Sequence, residues 1–406
     1  MTLLRVESVG RLRQAVFVSA FVATALKLEI AAHTFGTNDV HYWMHFARAV
    51  RHFGPVGIYG HHLTPVYNHG PLAGWMLVAI NWLGDRGVAG FPFLIRLPAC
   101  LADLVTALLV FELVRNLRSA RQAAIAAALV AWSPVLFVVS GFHGNTDPLV
   151  VMFALLSVYL LVVRGWVLAA GVAFATAMSI KLVPVVLGPV LLVVLLRLGR
   201  RRLAAFAGGG ALVFGLLWVP VIVSRWDGFR VQVLGYNGGF LRQWGLVQFL
   251  TWAHAPTGTV DWLVGSGRFG IVLVSGLAAA AVAWRRPDAL IPAVGLSLVL
   301  FLLLSSAFAM QYLTWPLAAA YLIDTWAATA YNVAASAFIV IVYDHWNRAP
   351  PWDWHEGRAV SFQSREFVLM VITWTALAAV AVVGLRLLHS RERRSAATPR
   401  ERPAVV

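Results

Sequence analysis

A succession of apolar runs, each about twenty residues or somewhat shorter, recurs along the chain and is broken by short turns that carry arginine. In lipid such runs satisfy their backbone amides only as helices. Only 12% of the 406 residues are charged and 60% are hydrophobic, where a globular protein carries about 25% charged residues. An all-α polytopic membrane protein follows, and a soluble domain is excluded. The net charge of +15 would suggest nucleic acid in a soluble chain. Here the basic residues sit in loops between apolar runs and report topology instead, so no nucleic-acid partner is expected. The single cysteine, Cys100, lies in an apolar run, which leaves no disulfide framework and no cysteine metal site.

Arg5, Arg11 and Arg13 precede the first run, residues 15–33, which is too long for a cleaved signal and is read as a retained span. The positive-inside rule then puts the N-terminus in the cytosol and Asp39 outside. Continuing by charge predicts about twelve spans: 15–33, 96–114, 122–142, 149–163, 166–180, 183–196, 203–223, 269–284, 289–304, 312–324, 326–343 and 366–388. Residues 71–83, bracketed by Trp75 and Trp82, are read as an interfacial helix. Counting them as a span would put Arg115–Arg121 and Arg197–Arg202 outside. The expected organisation is a cytosolic N-terminus (1–14), a transmembrane module (15–202) with a long first external loop (34–95), a second transmembrane module (203–388) and a basic cytosolic tail (389–406), polar enough to be disordered. External loops are expected at 224–268 and 344–365.

In the first loop, Tyr42, Trp43, Phe46, Val50 and Phe53 fall on one helical face and His41, His45, Arg48 and His52 on the other, the pattern of an amphipathic helix in the interface, capped by Asn38 or Asp39. Lys27 and Glu29 lie within span one. They could form a structural pair, but two residues apart is poor helical geometry for contact. Asp103, within span two, is either a structural hydrogen-bond partner or a functional group.

On this topology the outer rim collects Asp39, His61, His62, Asn68, His69, Arg96, His143, Asn145, Asp147, Lys181, Tyr236, Asn237, Gln311 and Tyr312. The inner face collects little but arginine. A carrier places polar groups along a path at mid-depth. Polar groups at one rim suit chemistry on a lipid-anchored substrate. Arg96 and Lys181, at outer span ends, are placed to hold phosphate oxygens. Asp39 is the candidate catalytic base and Asp147 a second catalytic carboxylate. His69, His143, Asn145, Gln311 and Tyr312 are the candidate substrate contacts. Structural alternatives stand beside each: Asp147 before Pro148 suits a helix start, Lys181 a snorkelling lysine, Arg96 an interface anchor, and the histidines solvated loops. No Walker loop, dinucleotide glycine pattern or HExxH spacing occurs, so neither cofactor nor metal is expected and activity should survive EDTA.

The order of these features resembles the GT-C class of integral membrane glycosyltransferases. The resemblance rests on Thr37-Asn38-Asp39-Val40-His41-Tyr42-Trp43 after span one; Asn68-His69-Gly70-Pro71-Leu72-Ala73-Gly74-Trp75; Arg96-Leu97-Pro98-Ala99-Cys100-Leu101-Ala102-Asp103; Trp132-Ser133-Pro134 with Gly144-Asn145-Thr146-Asp147-Pro148; Lys181-Leu182-Val183-Pro184; and Gln311-Tyr312-Leu313-Thr314-Trp315-Pro316. It covers residues 15–200 well and the remainder by one motif and helix count. It is similar to the bacterial mannosyltransferase-like branch and to the eukaryotic dolichyl-phosphate-sugar transferases. Asn38-Asp39 departs from the two adjacent acids usual in protein O-mannosyltransferases, and there is no large soluble C-terminal domain of the oligosaccharyltransferase kind. The resemblance implies Asp39 as base or acceptor orienter, and Arg96 and Lys181 at the lipid phosphate. It implies an inverting transfer of a sugar, a mannose-like hexose favoured, from a polyprenyl-phosphate donor to a glycan, lipid or protein acceptor at the outer face of the cell membrane. A flippase or transporter of lipid-linked saccharides is the alternative.

Overall fold

The computed structural model describes residues 2–236, 238, 242–347 and 360–388. Asn237, the tail 389–406 and most of the loop expected at 344–365 lie outside the described residues. The apolar runs are helices. α1 (Thr2–His33) is followed by two helices of the first loop, α2 (Asn38–Gly57) and α3 (Pro71–Asp85), then by α4 (Phe91–Arg115) and α5 (Ala120–Ala131). A single turn, α6 (Pro134–Leu136), passes into a π-helical stretch, Phe137–His143. Next come α7 (Asp147–Val162), α8 (Val167–Ile180), α9 (Gly188–Leu198) and α10 (Arg200–Phe229). The last part holds α11 (Gly245–Trp252), α12 (Thr257–Trp262), α13 (Arg268–Arg285), α14 (Leu290–Leu304), α15 (Thr314–Ile323), α16 (Thr325–Asn347) and α17 (Ser364–Arg386).

Among the described residues eight segments are long and apolar enough to cross a membrane, and 147–162, 167–180 and 183–198 are shorter apolar helices. With α15, every residue of which is buried, they follow the expected path. α14, α15 and α16 pack together and against the α4–α7 side to form the core. α1 turns Phe17, Val18, Phe21, Val22 and Leu26 outward, as a lipid-facing helix does. α8 and α10 cross closely through glycines. A Cβ on Gly171 would stand 2.0 Å from the Phe206 carbonyl oxygen, and one on Gly209 2.1 Å from that of Leu168, so only small residues fit this crossing.

α2 and α3 pack on each other, but the buried face of α2 is Val40, Trp43, Phe46, Ala47, Ala49 and Val50. Tyr42 and Phe53, expected on that face, are exposed. The face is rotated because α2 is covered from two sides, by α3 and by Trp218 and Val221 of α10. The cap is Thr37, not Asn38 or Asp39: its hydroxyl oxygen accepts the amide of Asp39 at 3.2 Å. The region expected as a loop at 224–268 is largely helical. α10 runs to Phe229 and a π turn continues to Leu234, held by Phe229 against Tyr59 and by Gln232 Nε2 donating to the Tyr59 carbonyl at 2.8 Å.

Chain direction alternates, so the C-terminus of α1, the N-termini of α4 and α7, the C-termini of α8 and α16 and the N-terminus of α15 meet at one end of the bundle. At the other end, arginines expected to mark the cytosolic side also finish helices. Arg118 donates to the carbonyls of Tyr321 (2.9 Å) and Ile323, and Arg197 to those of Ala283 (2.7 Å) and Trp284. These are the orphan carbonyls that every helix C-terminus must satisfy.

Candidate active site

Asp39 stands in the first turn of α2, and the cap that starts this helix also fixes its neighbour. Thr37 is fully buried, and its hydroxyl donates to the carbonyl of His143 at 2.9 Å while its oxygen caps Asp39. His143 is the last residue of the π stretch. Gly144 then turns the chain with φ +84°, and a Cβ there would meet Val40 at 2.8 Å. This turn presents His143 and Asn145 together to one oxygen of Asp39. His143 Nε2 and Asn145 Nδ2 each lie 2.9 Å from Oδ2. Oδ1 has no hydrogen-bond partner among the described residues. Burial by itself would push the Asp39 carboxyl up; the hydrogen bonds from His143 and Asn145, the electrostatic interaction with the His143 ring, and the charge of Lys181 outweigh it and hold the group below the ordinary carboxylate value.

Lys181 ends α8, where the chain becomes extended. Its ammonium lies 2.7 Å from Asp147 Oδ2 and 3.4 Å from Asn145 Oδ1, with the Tyr312 ring 5.5 Å away. The other oxygen of Asp147 accepts Trp315 Nε1 at 2.6 Å, and Trp315 stacks on Tyr312 with ring centres 4.0 Å apart. Asp147, expected as a second catalytic carboxylate, is thus completely buried with both oxygens taken. It holds Lys181 and offers a substrate no free oxygen.

Arg96 likewise departs from its expected place at a phosphate. Its side chain is 0% exposed. Nε donates to the Pro92 carbonyl, Nη1 to Thr34 Oγ1 and the carbonyls of Gly141 and Phe142, and Nη2 to the carbonyls of Ala31 and Thr34. All five N–H groups of the guanidinium are committed, tying the ends of α1 and the π stretch to α4. Charge-assisted bonds to carbonyls are worth about 1.5–3 kcal/mol each, which makes Arg96 a clamp beneath the Asp39 turn.

A cavity of about 500 Å³ opens beside Lys181, with Asn68, Tyr236, Arg268, Tyr312 and Trp315 on its wall and mostly aliphatic side chains elsewhere. Arg268 reaches over it while donating to the carbonyls of Leu234 (2.9 Å) and Tyr236 (2.7 Å). Gln311 is half-buried and off this wall. His69 is buried, its ring against Trp43 at 4.3 Å, and its Nδ1 has no partner among the described residues. Gly70 N donates to the Ile180 carbonyl at 2.9 Å, fastening this loop beside Lys181. Burial, assisted by the charge of Lys181, pushes the His69 imidazole down to about 3, so it is neutral. His61 stacks on Phe53 in the first loop, and His62 is exposed. Among the described residues no group of three or more His, Cys, Asp or Glu stands close enough to hold a metal ion.

Tyr343 and Arg268 stand in this cluster although the sequence did not single them out; they come from apolar segments with no unusual charge pattern. Trp315 gave a signal only as part of the Gln311–Pro316 motif.

Residues 68–224 match the protein family described as dolichyl-phosphate-mannose-protein mannosyltransferase. The fold matches ArnT from Cupriavidus metallidurans, solved bound to undecaprenyl phosphate, with a TM-score of 0.51 over 93% of this chain and 77% of that one. The chain has the GT-C superfamily fold. Sequence identity in that alignment is 17%. No curated protein matches the chain in sequence. The family match together with the GT-C fold points to a membrane glycosyltransferase. The matched segment includes Arg96, Asp147 and Lys181 but ends short of Asp39 on one side and of Trp315 and Tyr343 on the other, so the cluster around Asp39 is completed by residues outside it.

Proposed function

We propose that this protein is an inverting glycosyltransferase that moves a sugar from a polyprenyl-phosphate carrier to an acceptor hydroxyl at the outer face of the membrane. The observation that carries this is Asp39: one carboxylate oxygen is fixed by His143 and Asn145 and the other is left open, within the field of Lys181, a cation on the wall of a largely apolar cavity. In the transfer, Oδ1 of Asp39 takes the proton of the acceptor hydroxyl as its oxygen attacks the anomeric carbon. The bond from that carbon to the carrier phosphate breaks on the opposite side, which inverts the centre. The departing phosphate gains charge, and Lys181, held by Asp147, is placed to offset it. The aliphatic cavity wall accepts the first units of a prenyl chain while Lys181 and Arg268 stay at headgroup level. The mannosyltransferase family description favours a mannose-like hexose, and the undecaprenyl phosphate bound to ArnT supports a polyprenyl-phosphate donor. The cavity wall belongs to one end of the bundle, and no observation favours a transporter.

The test is release of free polyprenyl phosphate by detergent-purified protein given a panel of polyprenyl-phosphate monosaccharides, mannose first, with candidate acceptors. Wild type should release it and Asp39→Asn should not. Equal release by both would remove Asp39 from the chemistry, and movement of lipid-linked sugar across liposomes without any transfer would replace the enzyme by a transporter.

A further inference from the structure

A neutral imidazole has one N–H and one lone pair, and which nitrogen holds the hydrogen is set by its partners. His143 has a partner on each side. Nε2 lies 2.9 Å from Asp39 Oδ2, and Nδ1 is hydrogen-bonded to the hydroxyl of Tyr343. A carboxylate only accepts, so Nε2 carries the hydrogen. Nδ1 is then the acceptor, and the Tyr343 hydroxyl donates to it. Thr37 Oγ1 stands 3.5 Å from the same nitrogen, but its one hydrogen goes to the His143 carbonyl at 2.9 Å. Tyr343 is fully buried near the C-terminal end of α16, two hundred residues along the chain from His143, with its ring edge-on to the imidazole.

We propose that Tyr343 is a positioning residue that locks His143 in the Nε2–H tautomer and so keeps Oδ2 of Asp39 covered and Oδ1 available. It touches no substrate and acts only through His143. The opposite tautomer would turn the Nε2 lone pair onto the carboxylate, replacing an attractive contact by a repulsive one. Asp39 would lose a donor and hold a proton more readily. The other groups that face the Asp39 carboxyl are Lys181 from the end of α8, His69 from the stretch before α3, Tyr236 from the stretch after α10 and Tyr312 from the turn before α15. None of these reaches Nδ1 of His143, and with the Thr37 hydrogen given to the His143 carbonyl, Tyr343 is the donor to that nitrogen among the described residues.

The tautomer is measured without any turnover, by 15N spectra of histidine-labelled protein in detergent at neutral pH, with His143→Gln identifying the signal. Wild type should show an unprotonated Nδ1 and a protonated Nε2, and Tyr343→Phe should move hydrogen onto Nδ1. Two protonated nitrogens in wild type, or the same tautomer in both proteins, would overturn the proposal; the wild-type spectrum decides the first point even if the variant fails to fold. The consequence for turnover rests on Asp39 being the base. Tyr343→Phe should move the acid limb of kcat/KM to higher pH with the donor KM unchanged, and should add no further change in a His143→Gln background. A fall in kcat with an unmoved acid limb would reduce Tyr343 to packing. If wild type transfers no sugar from any donor, the proposed function fails while the spectra still judge the tautomer.

Discussion

Lys27 Nζ lies 2.7 Å from Asp103 Oδ2, with 1% and 2% of the two side chains exposed. The pair joins α1 to α4 inside the bundle, and Glu29, the nearer acid in sequence, turns outward to His33 instead at 2.8 Å. Gly141 of the π stretch packs on Lys27, where an added Cβ would stand 3.0 Å from its carbonyl oxygen. The ion pair therefore sits one step behind the stretch that ends in His143. Removing one member of a buried pair strands the other and costs about 3–5 kcal/mol. Lys27→Met should lower the melting temperature in detergent strongly, and Lys27→Met combined with Asp103→Leu should recover much of the loss. Equal melting of wild type and the single variant would show that the pair is not needed for stability.

Asp39→Asn keeps shape but removes the base. A positioned acid–base group contributes about 10²–10⁴-fold, so turnover should fall by that range. Donor binding, followed by protection from thermal unfolding, should persist because Lys181 and the cavity are untouched.

Asp39 has its carboxyl held low by His143, Asn145 and Lys181. A depressed folded-state value means that the ionised form, and the activity and stability it brings, is present above the ordinary carboxylate range and is lost only as pH falls through the lower folded value. Asn145→Ala removes one donor. The acid limb of kcat/KM should then shift upward, and a pH–rate profile of this variant beside wild type reads the shift directly.

Asp147→Asn leaves Trp315 its acceptor and takes the charge from beside Lys181. The ammonium should lose its fixed place, raising the donor KM more than it lowers kcat. Steady-state kinetics with varied donor separates the two, and a kcat effect alone would argue that Asp147 acts on the chemistry itself.

Arg96→Lys keeps the charge but cannot reproduce a planar fork that donates to five different backbone carbonyls and a hydroxyl. The variant should melt lower than wild type while the donor KM of the folded fraction stays near normal. A large rise in donor KM at unchanged stability would return Arg96 to the phosphate.

The helical path was legible because hydropathy and arginine placement are local properties of the chain, and lipid allows few alternatives to a helix. The same rules put Asp39, His143, Asn145, Asp147 and Lys181 at one end of the bundle before any fold was known. They could not say which of these groups remain open. Asp147 and Arg96 look like exposed charges at span ends, yet Trp315 arrives from 168 residues away to close Asp147, and the π stretch supplies carbonyls that consume Arg96. By sequence the only partner in view for Lys27 is Glu29, at a spacing poor for contact, and Asp103 has no assigned partner; helix packing brings Lys27 and Asp103 together. Sequence by itself determined the class of protein, its spans and the end that carries the polar groups, since each follows from side chains meeting water or lipid. Only the tertiary structure decided that one oxygen of Asp39 is held and the other free, because hydrogen-bond partners are assigned by distances between segments that the chain order does not contain.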